Sequence, residues 1–125
     1  MPGANLKNYA VSFLEMVATG KVREAYRSFV GNGFRHHNPF FKGDATSLMV
    51  AMEENAVKNP NKILEVLHVV EEDNFVTVHS RIRQHQTDNG ASVVHIFRFH
   101  LNQVVELWDI GMAIPPDIVN ENGMF

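Results

Sequence analysis

The sequence contains no cysteine among its 125 residues, so disulfides, thiolate nucleophiles and cysteine-ligated metal sites are excluded within it. It also lacks a cluster of basic residues, and its 11 lysines and arginines are outnumbered by 14 acidic residues, for a formal net charge of −3. Proteins bind phosphate backbones through clustered lysine and arginine, so we expect no nucleic-acid partner.

Apolar segments long enough to cross a membrane are missing as well, since a spanning helix needs about 20 consecutive apolar residues. Residues 1–7 lack the charged start and the apolar stretch of a signal peptide. We therefore expect a cytoplasmic protein with no membrane partner. The length fits one domain over residues 1–125 with a substantial hydrophobic core.

The first half of the chain has the apolar spacing of helices. Apolar residues recur at helical spacing over 5–19, and Gly20 suits the end of that helix because glycine enters the left-handed region without steric cost. A second apolar stripe covers 22–29. Asp44 is a suitable N-cap for a third helix, and Pro60 marks its end.

Beyond residue 60 the pattern changes to that of strands. The segments KILEVLHVVEE (62–72) and FVTVHSRIRQHQ (75–86) flank a turn, and a further hairpin covers 93–111. The segment FRHHNPFFKGD (34–44) is dense in turn-forming residues. Helices followed by a run of antiparallel strands predict an α+β fold, with the helices covering one face of a curled sheet.

The final hairpin places His95 and Asp109 among apolar and aromatic residues. A two-residue loop would set Asp109 beside Val94, on a different face from His95. A three-residue loop at 100–102 separates apolar from polar side chains better, so we predict that loop. It sets Asp109 opposite Val93 and diagonal to His95, about 7–8 Å away along the backbone, with both side chains directed towards the helices.

The predicted loop assigns every side chain of the hairpin to one face of the sheet. The inward face carries Val93, His95, Phe97, Phe99, Val105, Leu107 and Asp109. The outward face carries Val94, Ile96, Arg98, His100, Val104, Glu106, Trp108 and Ile110. No helix remains to cover the outward apolar residues, and such a patch usually marks an interface, so we expect a homodimer through the outer face of the sheet.

An aspartate turned into an apolar interior requires an explanation, because burying a carboxylate costs several kcal/mol unless it is partnered. The residues alone leave two explanations open: mutual pairing of His95 and Asp109 within the core, or a functional site built around them. A metal site that adds His36 and His37 is a third reading. Adjacent histidines on an extended segment point to opposite sides, so at most one of the two joins such a site, and we expect no metal.

The chain resembles SnoaL-like proteins of the nuclear transport factor 2-like superfamily in four motifs that span most of its length: HNP (37–39), IFRF (96–99), VELWD (105–109) and NENGMF (120–125). The resemblance implies one SnoaL-like domain with a cystatin-like cone fold, in which a curved, mostly antiparallel sheet wraps around three N-terminal helices. It also implies an apolar pocket and, in many members, a dimer through the outer face of the sheet.

In the SnoaL-type polyketide cyclases, an acid/base aspartate on the last strands catalyses an intramolecular aldol condensation without metal or cofactor. The resemblance therefore implies that Asp109 and His95 are catalytic and that Asn38 lies near the pocket mouth. The side chains expected to bind the ligand are Asn38, His37, Phe97, Val93, Leu107 and Met52.

These observations together predict a cofactor-independent acid/base enzyme, of the aldol-condensation cyclase or isomerase type. Its expected ligand is a small apolar or carbonyl-containing compound. The alternative is a non-catalytic module of the same fold that binds a small molecule or serves in dimerisation.

Overall fold

The computed structural model describes residues 5–125; residues 1–4, part of the segment considered for a signal peptide, lie outside this range. The elements in chain order are α1 (Leu6–Ala18), α2 (Val22–Phe29), β1 (Val30–His36), α3 (Ala45–Lys58), β2 (Ile63–Glu72), β3 (Phe75–Arg83), β4 (Ala91–His100) and β5 (Gln103–Ala113). None of the helices in the described part of the chain has the length and apolar character needed to cross a membrane.

Two of the three helices begin at a side chain that caps them. The Asn5 side chain accepts the Asn8 N–H at 3.2 Å, and the Asp44 carboxylate accepts the Ser47 N–H at 2.9 Å. Each bond satisfies an N–H that has no partner within the helix. Gly20 follows α1 with φ of +88°, as its position after the apolar stripe predicts.

The five strands form one curved sheet in the order β1-β5-β4-β3-β2. All neighbouring strands are antiparallel except β1 and β5, which are parallel. The three helices pack against one face of the sheet, here called the inner face. The predicted α+β cone with a mostly antiparallel sheet is confirmed.

Strand β1 was not predicted from the sequence, which indicates turns in this region. Two glycines interrupt it, and Gly33 has φ of +77°, so the local sequence does not favour an extended strand. Its stabilisation comes from β5, far along the chain, where His36 pairs with Leu107. This pairing places β1 and the loop after it beside the last strand.

The tip of the β4–β5 hairpin differs from the prediction. Leu101 and Asn102 both have positive φ, 50° and 64°, and His100 pairs with Gln103. Two consecutive residues of positive φ form a two-residue type I′ loop, the loop whose twist matches that of the flanking strands. The predicted three-residue loop is therefore wrong.

A β-bulge on β5 compensates for the shorter loop. The pairs on either side of it are Phe99 with Val104 and Arg98 with Glu106, which leaves Val105 as the extra residue. The two-residue loop shifts β5 by one position relative to the predicted pairing, and the bulge shifts it by one more. Asp109 therefore stays on the inner face but lies directly opposite His95 rather than diagonal to it. Val104 faces the core with 1% of its surface exposed, which corrects its predicted outward position.

The core forms where the aromatic residues of β4 meet the first helix. The ring of Phe13 lies edge-on to that of Phe97, with centroids 5.9 Å apart and an interplanar angle of 81°. Phe97 is fully buried, and Phe99 and Leu107 are buried beside it. Aromatic pairs in this geometry favour the folded state beyond their area of burial.

The strained loop yields a stability prediction. We expect Leu101→Asn to raise the free energy of unfolding by about 1 kcal/mol, because asparagine tolerates positive φ better than leucine and is favoured in type I′ loops. Leu101 is 81% exposed, so the substitution removes little packing. Urea denaturation measures the change. Leu101→Ala is the control: an equal gain in that variant would assign the effect to the lost apolar surface instead.

Candidate functional site

A cavity of about 430 Å³ lies between the helices and the inner face of the sheet. Most of its wall is apolar and includes Leu14, Val17, Leu48, Met52, Leu64, Ile82 and Val93. The polar side chains on its wall are Asn38, Asn55, Lys62, Gln84, Asp88, His95 and Asp109. A largely apolar cavity with a few polar groups is the usual form of a small-molecule site.

Five of the eight site residues predicted from the sequence line this cavity: Asp109, His95, Asn38, Val93 and Met52. Phe97 and Leu107 face inwards as predicted, but both are 0% exposed and belong to the core, so neither borders the cavity. Alternation along the strands predicts the face of a side chain, whereas only the packing of the helices decides which inward residues remain uncovered.

His95 and Asp109 meet across the β4–β5 pair. The distance from His95 Nε2 to Asp109 Oδ1 is 3.4 Å, and the two side chains are 6% and 21% exposed. A charge-assisted hydrogen bond between nitrogen and oxygen is shorter, about 2.7–2.9 Å. Asp109 Oδ1 is thus close to the imidazole without being tightly bound to it, and part of the carboxylate remains accessible.

Asn38 holds the second oxygen of the carboxylate. Its Nδ2 donates to Asp109 Oδ2 at 2.8 Å, while its Oδ1 accepts the Phe40 N–H at 3.0 Å. The backbone donor identifies the amide oxygen and so settles the orientation of the amide. Asp109 is consequently oriented by a side chain from the loop that follows β1.

His36 supports this loop from within the sheet. Its Nδ1 accepts the Asn38 N–H at 3.1 Å, so the ring proton is on Nε2, which donates to the Lys42 carbonyl. The side chain is buried, between the end of β1 and the loop. From the sequence, His36 was considered only as a possible metal ligand, because the strand that turns it inwards was not predicted.

His37 lies on the opposite side of the sheet, which corrects its predicted place in the pocket. Its Nε2 is 2.7 Å from Glu106 Oε2, and its ring stacks on Trp108 with centroids 5.0 Å apart. The physical reason is strand alternation, which directs Phe34 and His36 inwards and therefore sends His37 outwards.

Glu106 collects three partners on that outer face. Arg35 approaches at 2.8 Å, His37 at 2.7 Å and Arg98 at 3.0 Å, and the side chain is 6% exposed. The hydrogen bonds from Arg35 contribute most to lowering the pKa of Glu106 to about 2, against the opposing effect of burial. Glu106 is therefore ionised at neutral pH and links β1, β4 and β5 on the face away from the cavity.

The imidazole of His95 is in an environment that disfavours its charged form. Burial lowers the pKa of His95 below its ordinary value, and the negative charge of Asp109 only partly opposes this effect. Within residues 5–125, its buried Nδ1 has no hydrogen-bond partner. A neutral ring with its proton on Nε2 directs that N–H towards Asp109 Oδ1.

Tyr26 is a further buried group that the charge of Asp109 reaches. Burial raises the pKa of the Tyr26 phenol well above the ordinary tyrosine value, and the negative charge of Asp109 adds a smaller effect in the same direction. The phenol is therefore protonated at neutral pH, and its oxygen lies 3.3 Å from the Met52 sulfur. Tyr26 contacts Met52, which lines the cavity, but does not itself border the cavity.

A second polar part of the cavity wall was missed from the sequence. Three of these polar residues are Lys62, directly before β2, Asn55, in the last turn of α3, and Gln84, directly after β3. Each is ordinary in its own segment, and only the tertiary structure brings the three to one cavity. Burial lowers the pKa of the Lys62 ammonium.

In the described part of the chain, the histidines considered as metal ligands do not come together. Across residues 5–125, no three histidine, aspartate or glutamate side chains come together as a potential metal site. Of the four residues considered for it, His37 lies on the outer face and His36 is engaged by the loop.

By sequence, the chain matches no protein-family model and no curated protein. Solved structures do match it. A nuclear transport factor 2-like protein of unknown function from Cytophaga hutchinsonii is 14% identical, with a TM-score of 0.69 over 89% of this chain and 93% of the other. A SnoaL-like protein of unknown function from Burkholderia thailandensis is 14% identical, with a TM-score of 0.71 over 90% of this chain and 100% of the other.

A cystatin-fold protein from Novosphingobium aromaticivorans is also similar, at 14% identity and a TM-score of 0.69 over 86% of this chain and 99% of the other. These matches cover most of both chains in each pair. They confirm the fold that the motif resemblance implied, which is the nuclear transport factor 2-like, or cystatin-like, cone.

The buried imidazole yields a prediction about acid stability. Because folding lowers the pKa of His95, the unfolded chain binds its proton more tightly than the native protein does. This contribution to stability is complete above the unfolded-state pKa of about 6.5 and is lost as the pH falls below it. We therefore expect His95→Gln to make the acid decline in the free energy of unfolding less steep.

Urea denaturation at a series of pH values measures this slope. The exposed His100 provides a matched control, since His100→Gln should leave the slope unchanged. A slope that is the same in wild type and His95→Gln would contradict the neutral ring.

Proposed function

We propose that this protein is a SnoaL-like enzyme that catalyses cofactor-independent proton transfer on a small carbonyl compound, in a cyclisation of the aldol type or an isomerisation. The observation that carries the proposal is the position of Asp109. Its carboxylate borders an apolar cavity, with one oxygen held by Asn38 at 2.8 Å and the other 3.4 Å from the buried His95.

The apolar wall supports the choice of ligand. A volume of about 430 Å³ falls in the range of small-molecule sites, and residues such as Leu48, Ile82 and Val93 offer no charge to compete with Asp109 for the ligand. Proton abstraction next to a carbonyl needs a base within reach of the ligand carbon, and the accessible part of the Asp109 carboxylate borders this cavity.

The proposed reaction begins when Asp109 removes a proton from the carbon next to the ligand carbonyl. The resulting enolate attacks a second carbonyl carbon of the same molecule and forms a carbon–carbon bond. The oxygen of that carbonyl becomes an alkoxide and takes the proton back from Asp109, so the protein ends unchanged. In an isomerisation, the proton returns to a different carbon.

His95 and Asn38 receive separate roles in this proposal. In the free protein the Nε2–H of the neutral His95 points towards Asp109 Oδ1 at 3.4 Å. Once Asp109 has taken the ligand proton, this N–H donates to the oxygen on which the enolate charge develops and stabilises that charge. Asn38 keeps the carboxylate in one orientation through its bond to Oδ2. Burial lowers the pKa of His95, so the ring is a neutral hydrogen-bond donor, as this division of roles requires.

The catalytic prediction concerns Asp109→Asn, which retains the shape of the side chain but not the base. Exchange of α-protons for deuterium, followed by NMR on a panel of aryl ketones and 1,3-diketones, measures the proton transfer directly. We expect the exchange rate to fall by about 10²–10⁴-fold, the usual contribution of a general base. Affinity for the same compounds should change little.

The exposed Asp117 provides the matched control, since Asp117→Asn removes a carboxylate away from the cavity. If both variants bind the compounds and exchange protons at equal rates, the proposed enzyme activity is contradicted, and the alternative of a non-catalytic binding module with the same fold is favoured.

We also propose that the protein is a homodimer through the outer face of the sheet. Val94, Ile96 and Trp108 are partly exposed on β4 and β5, and Ile110 is 56% exposed beside them. The C-terminal tail lies next to this patch, because Phe125 stacks on the ring of His79 at 5.8 Å and His79 pairs with Val94. Ile110 and Phe125 remain 56% and 47% exposed, which leaves apolar surface here for a second copy.

The test of the dimer is Ile110→Asp, which places a charge within the patch. We expect wild type to have twice the chain mass at micromolar concentration in light scattering, and the variant to have the mass of one chain. Val119→Asp is the control, because Val119 is 98% exposed and lies outside the sheet. A monomeric wild type would contradict the interface.

A further inference from the structure

We propose that the cavity contains an anion-binding subsite, formed by Lys62 with Asn55 and Gln84, at a distance from Asp109. The ligand is then a keto acid: a carbonyl compound whose apolar body carries a carboxylate at its other end. This inference rests on the proposed function, since it specifies the class of substrate for the same cavity.

Lys62 supplies the positive charge of this subsite. It borders the cavity and is half-buried, and its ammonium donates to Asn55 Oδ1. Within residues 5–125, no carboxylate oxygen lies within 4.0 Å of it. A partly buried cation that lacks a counter-charge is costly, and an anionic ligand group would supply the missing charge.

Gln84 adds a second unsatisfied group beside Lys62. The β2–β3 pairing continues from Leu64–Ile82 through Ile63–Arg83, so Lys62 and Gln84 face each other just beyond the last pair. Gln84 Oε1 is buried and has no hydrogen-bond partner in the described residues. Oε1 is an acceptor and does not itself bind a carboxylate, but the Nε2–H groups of the same amide can donate to a carboxylate next to the ammonium.

The sheet topology separates this subsite from Asp109. Lys62 precedes β2 and Asp109 belongs to β5, with β3 and β4 between them. Three strand spacings amount to about 14 Å on a flat sheet and less on a curved one. The wall between the two includes Ile82, Ala91 and Val93, which suit the apolar body of the ligand.

A single cation favours a carboxylate over a more highly charged group. Among the residues that line the cavity, the basic side chains are Lys62 and the neutral His95. The nearby Asp88 carboxylate accepts the Gln84 and Gly90 N–H groups and lies more than 4.0 Å from the Lys62 ammonium. The burial that lowers the pKa of Lys62 would be offset by the negative charge of a bound carboxylate. The subsite is therefore expected to select acids over neutral compounds of the same shape.

The experiment compares 9-oxodecanoate with its methyl ester, which has the same ketone and chain but no charge. Isothermal titration calorimetry on wild type should give a dissociation constant for the acid about 10- to 100-fold below that for the ester, the usual worth of a charge-assisted hydrogen bond. Lys62→Met should remove this preference, so that the acid and the ester bind with equal affinity. Lys62→Arg, which keeps the charge, should retain it.

Lys58→Met is the matched control, because Lys58 is an exposed lysine near the same end of α3 that does not border the cavity. Equal affinities for acid and ester in wild type, absence of binding by both, or a preference that persists in Lys62→Met would each overturn the subsite. A loss of folding in Lys62→Met leaves Lys62→Arg and the wild-type comparison to decide.

Failure of the subsite and failure of the proposed reaction are separable. Asp109→Asn should preserve the preference for the acid, because the two groups bind different ends of the ligand. Deuterium exchange into the methyl ester tests Asp109 without any contribution from Lys62. Exchange without acid preference would overturn the subsite alone, and acid preference without exchange would overturn the reaction alone.

Discussion

The arrangement of the site depends on how β4 and β5 pair. Side chains alternate between the two faces of a strand, so a shift of one residue would move Asp109 from the cavity to the outer face. The type I′ loop at Leu101 and Asn102 introduces such a shift, and the bulge at Val105 introduces a second one. Together they return Asp109 to the inner face, directly opposite His95.

Most of the cavity wall is apolar, and three of its polar side chains lack a partner for one of their groups. His95 Nδ1 and Gln84 Oε1 are buried without a hydrogen-bond partner in the described residues, and Lys62 has an amide but no carboxylate beside it. Groups that serve stability alone are normally paired, because each unpaired buried polar atom reduces the free energy of unfolding. An anionic ligand group would supply the counter-charge that Lys62 lacks.

The carboxylates on the two faces of the sheet differ in how many partners bind them. On the outer face, Glu106 is bound by Arg35, His37 and Arg98, which together keep it ionised. On the inner face, Asp109 has one close partner, Asn38, and part of its carboxylate remains accessible. The same strand therefore carries one carboxylate that is fully occupied by structural bonds and one that is free to act on a ligand.

The helices and the change to strands after residue 60 could be predicted from the sequence, because they follow from local periodicity and capping. The shared face of His95 and Asp109 was predicted from a three-residue loop that is wrong, and it results from the type I′ loop together with the bulge at Val105. The tertiary structure alone decided the positions of His36 and His37, since β1 forms only through its pairing with β5, and the local glycines disfavour a strand. It also decided the gathering of Lys62, Asn55 and Gln84, because their approach depends on helix packing and strand pairing between distant segments, which no local pattern encodes.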